Sequence, residues 1–143
     1  RAKKCKRKQG YEIERDLISG ELEVVDLPEA WNAKFEEFFG IKVEKISDGC
    51  LQDIHWSMGA IGYFPTYTLG NLAAAQIFNK AKIDCPEIES CSSDHSYKIL
   101  LDWLRKNIHS KGSLLLPQDL IKEVTGEDLS AKYHLDHLRQ RYS

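Results

Sequence analysis

At 143 residues, with 42% hydrophobic residues and three Trp, the chain has the size and apolar content of one folded domain, not of a disordered segment. No apolar run approaches the roughly 18 residues of a membrane span, and no apolar stretch follows the basic N-terminus, so neither a spanning helix nor a secretory signal is expected and the cytoplasm is the expected compartment. Six of the 20 Lys and Arg lie in the opening "RAKKCKRK", leaving 14 against 22 Asp and Glu, a net of −8 on the rest of the chain.

A nucleic-acid reader carries its positive charge on the folded body. This body repels phosphate, so nucleic acid is not an expected partner. Residues 1–10 read as a basic head or tail held in solvent, with polyanion binding by Arg1–Lys8 as the other reading. The helical portion is then 11–143. In "YEIERDLIS", Ile13 and Leu17 stand one helical turn apart and Gly20 is a stop. "DLPEAWNAKFEEFFG" follows. Asp26 and Glu29 have capping-box spacing, and Pro28 falls in the first turn, where its missing N–H is harmless. Leu27, Trp31, Phe35, Phe38 and Phe39 recur at helical spacing up to Gly40.

"IKVEKISDG" reads as a loop or a short extended piece. "TLGNLAAAQIFNKAKID" reads as a helix that Leu69, Leu72, Ala73, Ala75, Ile77 and Phe78 make apolar nearly all round, which predicts burial. "PEIESCSSD" is a loop whose Asp94 caps the next helix, with Tyr97, Leu100, Leu101, Leu104 and Ile108 on one face. Pro117 opens a helix that Gly126 closes, and Ser130 caps the last one. The fold class is all-α. The four cysteines, Cys5, Cys50, Cys85 and Cys91, show no C-x-x-C spacing, so free thiols are expected and no structural zinc site.

The chemistry is concentrated in "GCLQDIHWSMGAIGYFPTYTLGNLAAAQ", residues 49–76. Asp53 and His55 are two apart, so they share no helix face and form no ready-made pair of zinc ligands. His55 alone reads as a core or capping histidine or as a ligand-facing one. Gly59 and Gly62 open backbone conformations closed to other residues, and Pro65 stiffens the segment between Tyr63 and Tyr67. Two readings of these tyrosines stand. Their hydroxyls satisfy nearby carbonyls while the rings fill core, or they donate to a substrate's developing oxyanion.

"GCLQDIHW" has the form G-x-x-Q-D-x-H-W. With "GYFPTYTLGNLAAAQ" after it, "YEIERDLISGELEVVDLPEAWNAKFEEFFGI" before it and "WLRKNIHSKGSLLLPQDLIKEVTGEDLSAKYHLDHLR" downstream, it resembles the carboxypeptidase Taq family of thermostable zinc metallocarboxypeptidases. The resemblance runs from about Tyr11 to the C-terminus. It implies a helical C-terminal subdomain of a larger, mostly helical, cleft-bearing metallopeptidase that removes residues from peptide C-termini. The family's zinc is held by an H-E-x-x-H helix and a later Glu, and the Glu of that motif activates a water. No H-E-x-x-H occurs in the 143 residues. The resemblance therefore implies zinc in the full-length enzyme, no metal ligand and no cofactor in this chain, and no hydrolysis by the chain alone.

Residue by residue, it makes Gln52, Asp53, His55 and Trp56 the polar, substrate-binding positions of a cleft wall. It makes Tyr63 and Tyr67 the candidate catalytic groups, one stabilising the oxyanion while the other, or His55, holds the substrate. The alternative is a non-catalytic helical interaction module that self-associates through an exposed apolar face of the helix at 69–83.

Overall fold

The computed structural model describes residues 2–90 and 93–143, with side chains from Lys6 to Ser90 and from His95 onward. Among the described residues the regular elements are helices and single turns of 3-10 helix, with no strand, as the all-α expectation requires. The helices are α1 (Ala2–Ser19), α2 (Leu27–Phe39), α3 (Phe64–Asp84), α4 (Glu87–Ser90), α5 (Ser93–Asn107), α6 (Pro117–Thr125) and α7 (Lys132–Tyr142). They divide into two compact units, residues 1–68 and 69–143, the division falling inside α3.

In the first unit α1 lies on α2. Ile13, Trp31 and Cys50 form the buried centre, with Leu17, Leu22, Leu27, Phe35 and Trp56 packed around them. The Gln9 amide donates to the Trp31 carbonyl across the two helices at 2.9 Å. The helix expected to start at Tyr11 starts at Ala2, and Gln9 and Gly10 are buried. A solvated tail therefore does not describe Gln9 and Gly10. Ala, Lys, Arg and Gln are strong helix formers, and long basic side chains keep their charges in water while the backbone stays helical.

α2 opens with Pro28 in its first turn and closes at Gly40, as expected. The capping box does not form. A 3-10 turn at Val24–Asp26 draws Asp26 into helical backbone, and its carboxylate caps nothing. A cap residue needs an extended backbone for its side chain to reach the N2 or N3 amide. The loop expected at 41–49 holds a 3-10 turn at Ile46–Asp48.

The second unit has its own centre of Ala81, Ile88 and Trp103, packed by Ile77, Cys85, Ile99, Leu100, Leu104, Ile108 and Val124. The Trp103 indole donates to Asp84 at 3.1 Å. Gln76 is buried and pins the stretch before α7. Its amide donates to Thr125 Oγ1 at 3.0 Å and to the Asp128 carbonyl at 3.2 Å, and its oxygen accepts the Ser130 N–H at 2.9 Å.

Three expectations change here. α3 is not buried all round: Leu69, Phe78 and Ile83 are exposed, while Ile77 and Ala81 meet the core of its unit. The loop at 86–94 contains the single turn α4, held by buried Ile88. α7 starts at Lys132 with Ala131 at the cap position, and Ser130 acts one residue early by accepting the Lys132 N–H at 3.3 Å. Asp94 lies within α5, and its side chain is outside the described residues. Cys50 and Cys85 are free thiols, while the side chains of Cys5 and Cys91 lie outside the described residues. No helix among the described residues is long and apolar enough to cross a membrane.

Candidate functional site

The site belongs wholly to the first unit and is built on residues 52–67 against the N-terminal half of α1. After a 3-10 turn at Cys50–Gln52 the chain makes a tight reversal, with the Met58 N–H on the Ile54 carbonyl and the Ala60 N–H on the His55 carbonyl at 3.0 and 2.8 Å. Gly59 and Gly62 take φ of 72° and 77°, a left-handed backbone that side-chain-bearing residues rarely adopt. The reversal presents His55 to the first turn of α3.

Asp53 is the organiser. One carboxylate oxygen accepts both the backbone N–H of His55, at 3.0 Å, and the ring Nδ1–H of the same residue. The first bond is an Asx turn, and the second fixes the imidazole. His55 Nε2 then lies 3.0 Å from the Tyr67 hydroxyl. With Nδ1 donating to a carboxylate, the network assigns the lone pair of the neutral ring to Nε2, which accepts the Tyr67 O–H. A second proton on the ring reverses that bond and frees the phenol proton for another acceptor.

Burial works against the Asp53 anion, but the hydrogen bonds and electrostatic attraction of His55, and then the charge of Lys6, hold its carboxyl below the ordinary range. Tyr63 packs on both partners, 5.4 Å from the His55 ring and edge-on at 5.2 Å to the Tyr67 ring. It is 46% exposed, and its hydroxyl bonds to none of the described residues. Tyr67 stands on α3 and not on the stiff loop expected from Pro65, because α3 begins at Phe64 and takes the proline into its first turn.

A groove of about 140 Å³ opens between these residues, lined by Lys6, Arg7, Asp53, His55, Phe64 and Tyr67. Of the sequence candidates, Asp53, His55 and Tyr67 come together and Tyr63 stacks against them. Gln52 is exposed and accepts a hydrogen bond from Lys6 at 2.9 Å. Trp56 faces the core: its indole donates to buried Glu14 at 3.0 Å and meets Trp31 edge-on at 5.7 Å. Sequence reasoning missed Lys6, Arg7 and Phe64. Asp53 and His55 lie in a turn, where helix-face spacing does not apply. The signal that could have found the pair was the D-x-H spacing read as an Asx turn.

The sequence pattern of the carboxypeptidase Taq (M32) metallopeptidases matches residues 10–142. The chain belongs to that family. It is similar to thermostable carboxypeptidase 1 of Thermus thermophilus, 44% identical over 132 residues, and to its namesake in Pyrococcus furiosus, 42% identical over 132 residues. Each match takes in 92% of this chain and 26% of the relative, so the chain spans about a quarter of the length of these relatives. The M32 carboxypeptidase of Deinococcus radiodurans superposes on it with a TM-score of 0.88 at 36% identity, over 96% of this chain and 28% of the other. The chain thus corresponds to a portion of the family's members. Among the described residues no three His, Cys, Asp or Glu side chains gather closely enough to hold a metal ion.

Proposed function

We propose that the first unit supplies the C-terminal, substrate-side wall of an enzyme that removes residues from peptide C-termini, and that the chain alone does not hydrolyse peptides. The observation that carries the reading is the Asp53–His55–Tyr67 chain of hydrogen bonds beside the unengaged Tyr63 hydroxyl. Tyr67 spends its proton on His55 and serves to hold the substrate. Tyr63 has a free donor, and it is the group that takes the charge developing on the scissile carbonyl oxygen. Zinc belongs to the part of the enzyme that carries the family's metal motif.

A chimera in which residues 10–143 replace the matching quarter of the Pyrococcus furiosus carboxypeptidase, supplied with zinc, tests this on N-blocked dipeptides. Tyr63→Phe should lower kcat on the order of a hundredfold, the loss typical of one oxyanion donor. Unchanged turnover would reject the role. A second reading, a helical interaction module, draws on the exposed Leu69, Phe78 and Ile83 of α3.

A further inference from the structure

We propose that a second cavity, between α1 and the start of α3, is a site for an organic cation. Its ligand is a primary ammonium on an apolar stem, and Glu14 is the counter-charge. The cavity has a volume of about 310 Å³, and Tyr11, Glu14, Arg15, Ile18, Gly62 and Pro65 are among its walls. It shares no lining residue with the groove of His55 and Tyr67, so it does not depend on the peptide reading.

Glu14 carries the argument. It is only 4% exposed. A carboxylate held this far from water needs a paired charge or several donors. Glu14 has one donor, the Trp56 indole, on Oε1 at 3.0 Å. Oε2 has no partner among the described residues and is not fully enclosed. The cations around it are engaged elsewhere. Lys8 and Lys34 both go to Glu12, at 3.3 and 3.2 Å, and Arg15 holds Asp16 at 3.0 Å. Lys6 donates to Gln52, and Arg7 stacks on Tyr67. Glu12 and Asp16 thus have their own cations on α1, and Glu14 between them has none.

The walls select the ligand. Tyr11 and Ile18 are exposed and, with Pro65, set apolar surface beside the buried charge. An inorganic cation gains nothing from such surface. An ammonium on an apolar stem gains the carboxylate at its head and buries its stem. The Tyr11 ring adds attraction for a cation. Oε1 already accepts from the indole, so one open oxygen suits the point charge of an ammonium better than the two-donor fork of a guanidinium. Arg15 works against an incoming cation, and its pairing with Asp16 offsets that charge. Such an ammonium has two sources. One is a free amine, and the other is a lysine from the part of the family's fold that this chain does not span.

The test is direct binding to the 143-residue chain. Phenethylammonium and its neutral counterpart, phenethyl alcohol, are titrated in and followed by NMR at the indole N–H signals. Trp56 reports on Glu14, and Trp103, which donates to Asp84, is the control. The ammonium should bind about tenfold tighter than the alcohol, the worth of a hydrogen bond to a charged group. Glu14→Gln, which keeps an oxygen for the indole, should abolish the preference and leave alcohol binding unchanged. Ile18→Ser, at an exposed position, should weaken both probes. Circular dichroism verifies that α1 persists in both variants.

Equal binding of ammonium and alcohol, or a Glu14→Gln chain that keeps the preference, overturns the site. A Trp103 shift equal to that of Trp56 also overturns it, because it marks a general attraction of cations to carboxylates. An equal response to ammonium chloride, which has no stem, does the same. Where phenethylammonium does bind the chain, the titration is repeated on the chimera with the Pyrococcus furiosus enzyme. Retained binding there assigns the site to a free amine, and lost binding assigns it to a lysine of the longer fold.

Discussion

One oxygen of Asp53 serves two N–H groups of His55, and much of the site depends on that carboxylate being ionised. Its carboxyl titrates below the ordinary range: burial opposes the anion, and the His55 bonds and the Lys6 charge outweigh it. The sign of the pH effect follows. A carboxyl depressed in the folded state contributes stability that is complete above its unfolded value of about 3.9 and is lost as pH falls through the lower folded value. Asp53→Asn removes that titration. Urea midpoints measured between pH 6 and pH 2 should fall less steeply for the variant than for the parent chain. Parallel curves would mean that the pairing with His55 adds nothing to folding.

Among elements, the crossing of α1 with the start of α3 sets the groove. Gly10 makes that approach possible: a Cβ at this position would stand 2.7 Å from the Phe64 ring. Glycine inside a helix costs about 1 kcal/mol relative to alanine, so in an open helix Gly10→Ala would stabilise. Here the forced shift of a buried ring outweighs that gain, and a net loss of about 1–3 kcal/mol is expected in denaturant unfolding. The double variant with Phe64→Leu should recover much of the loss, because the ring is the obstacle. A Gly10→Ala chain more stable than its parent would show that α1 and Phe64 do not meet so closely.

Across the whole chain the exposed side chains carry information. Leu69, Phe78 and Ile83 on α3 stand in solvent, although the chain is a portion of a family whose solved members are more than three times its length. Exposed apolar side chains favour association. Light scattering should show the chain's apparent mass rising with concentration, and the Phe78→Ser, Ile83→Ser pair should flatten that rise. A constant monomer mass at high concentration counts against the interaction-module reading.

Much of this protein is local, and the residues alone declared it. Pro28, Pro117, Gly40 and Gly126 bounded their helices, because a missing N–H and a left-handed backbone act on the residue that carries them. The G-x-x-Q-D-x-H-W and G-Y-F-P-T-Y blocks pointed to the family that the comparisons establish. What lay beyond reach depended on neighbours distant in sequence. The opening charges looked like a solvent-held tail until the helix carried Lys6 and Arg7 to the groove. α3 looked buried by composition, but burial needs a partner surface, and periodicity names the apolar side without naming what covers it. Trp56 shared a motif with His55, and yet the turn sent one ring to the core and the other to the groove. Helix boundaries follow from backbone preferences a few residues long. Which side chains meet follows from packing between segments far apart in sequence, and only the folded chain decides that.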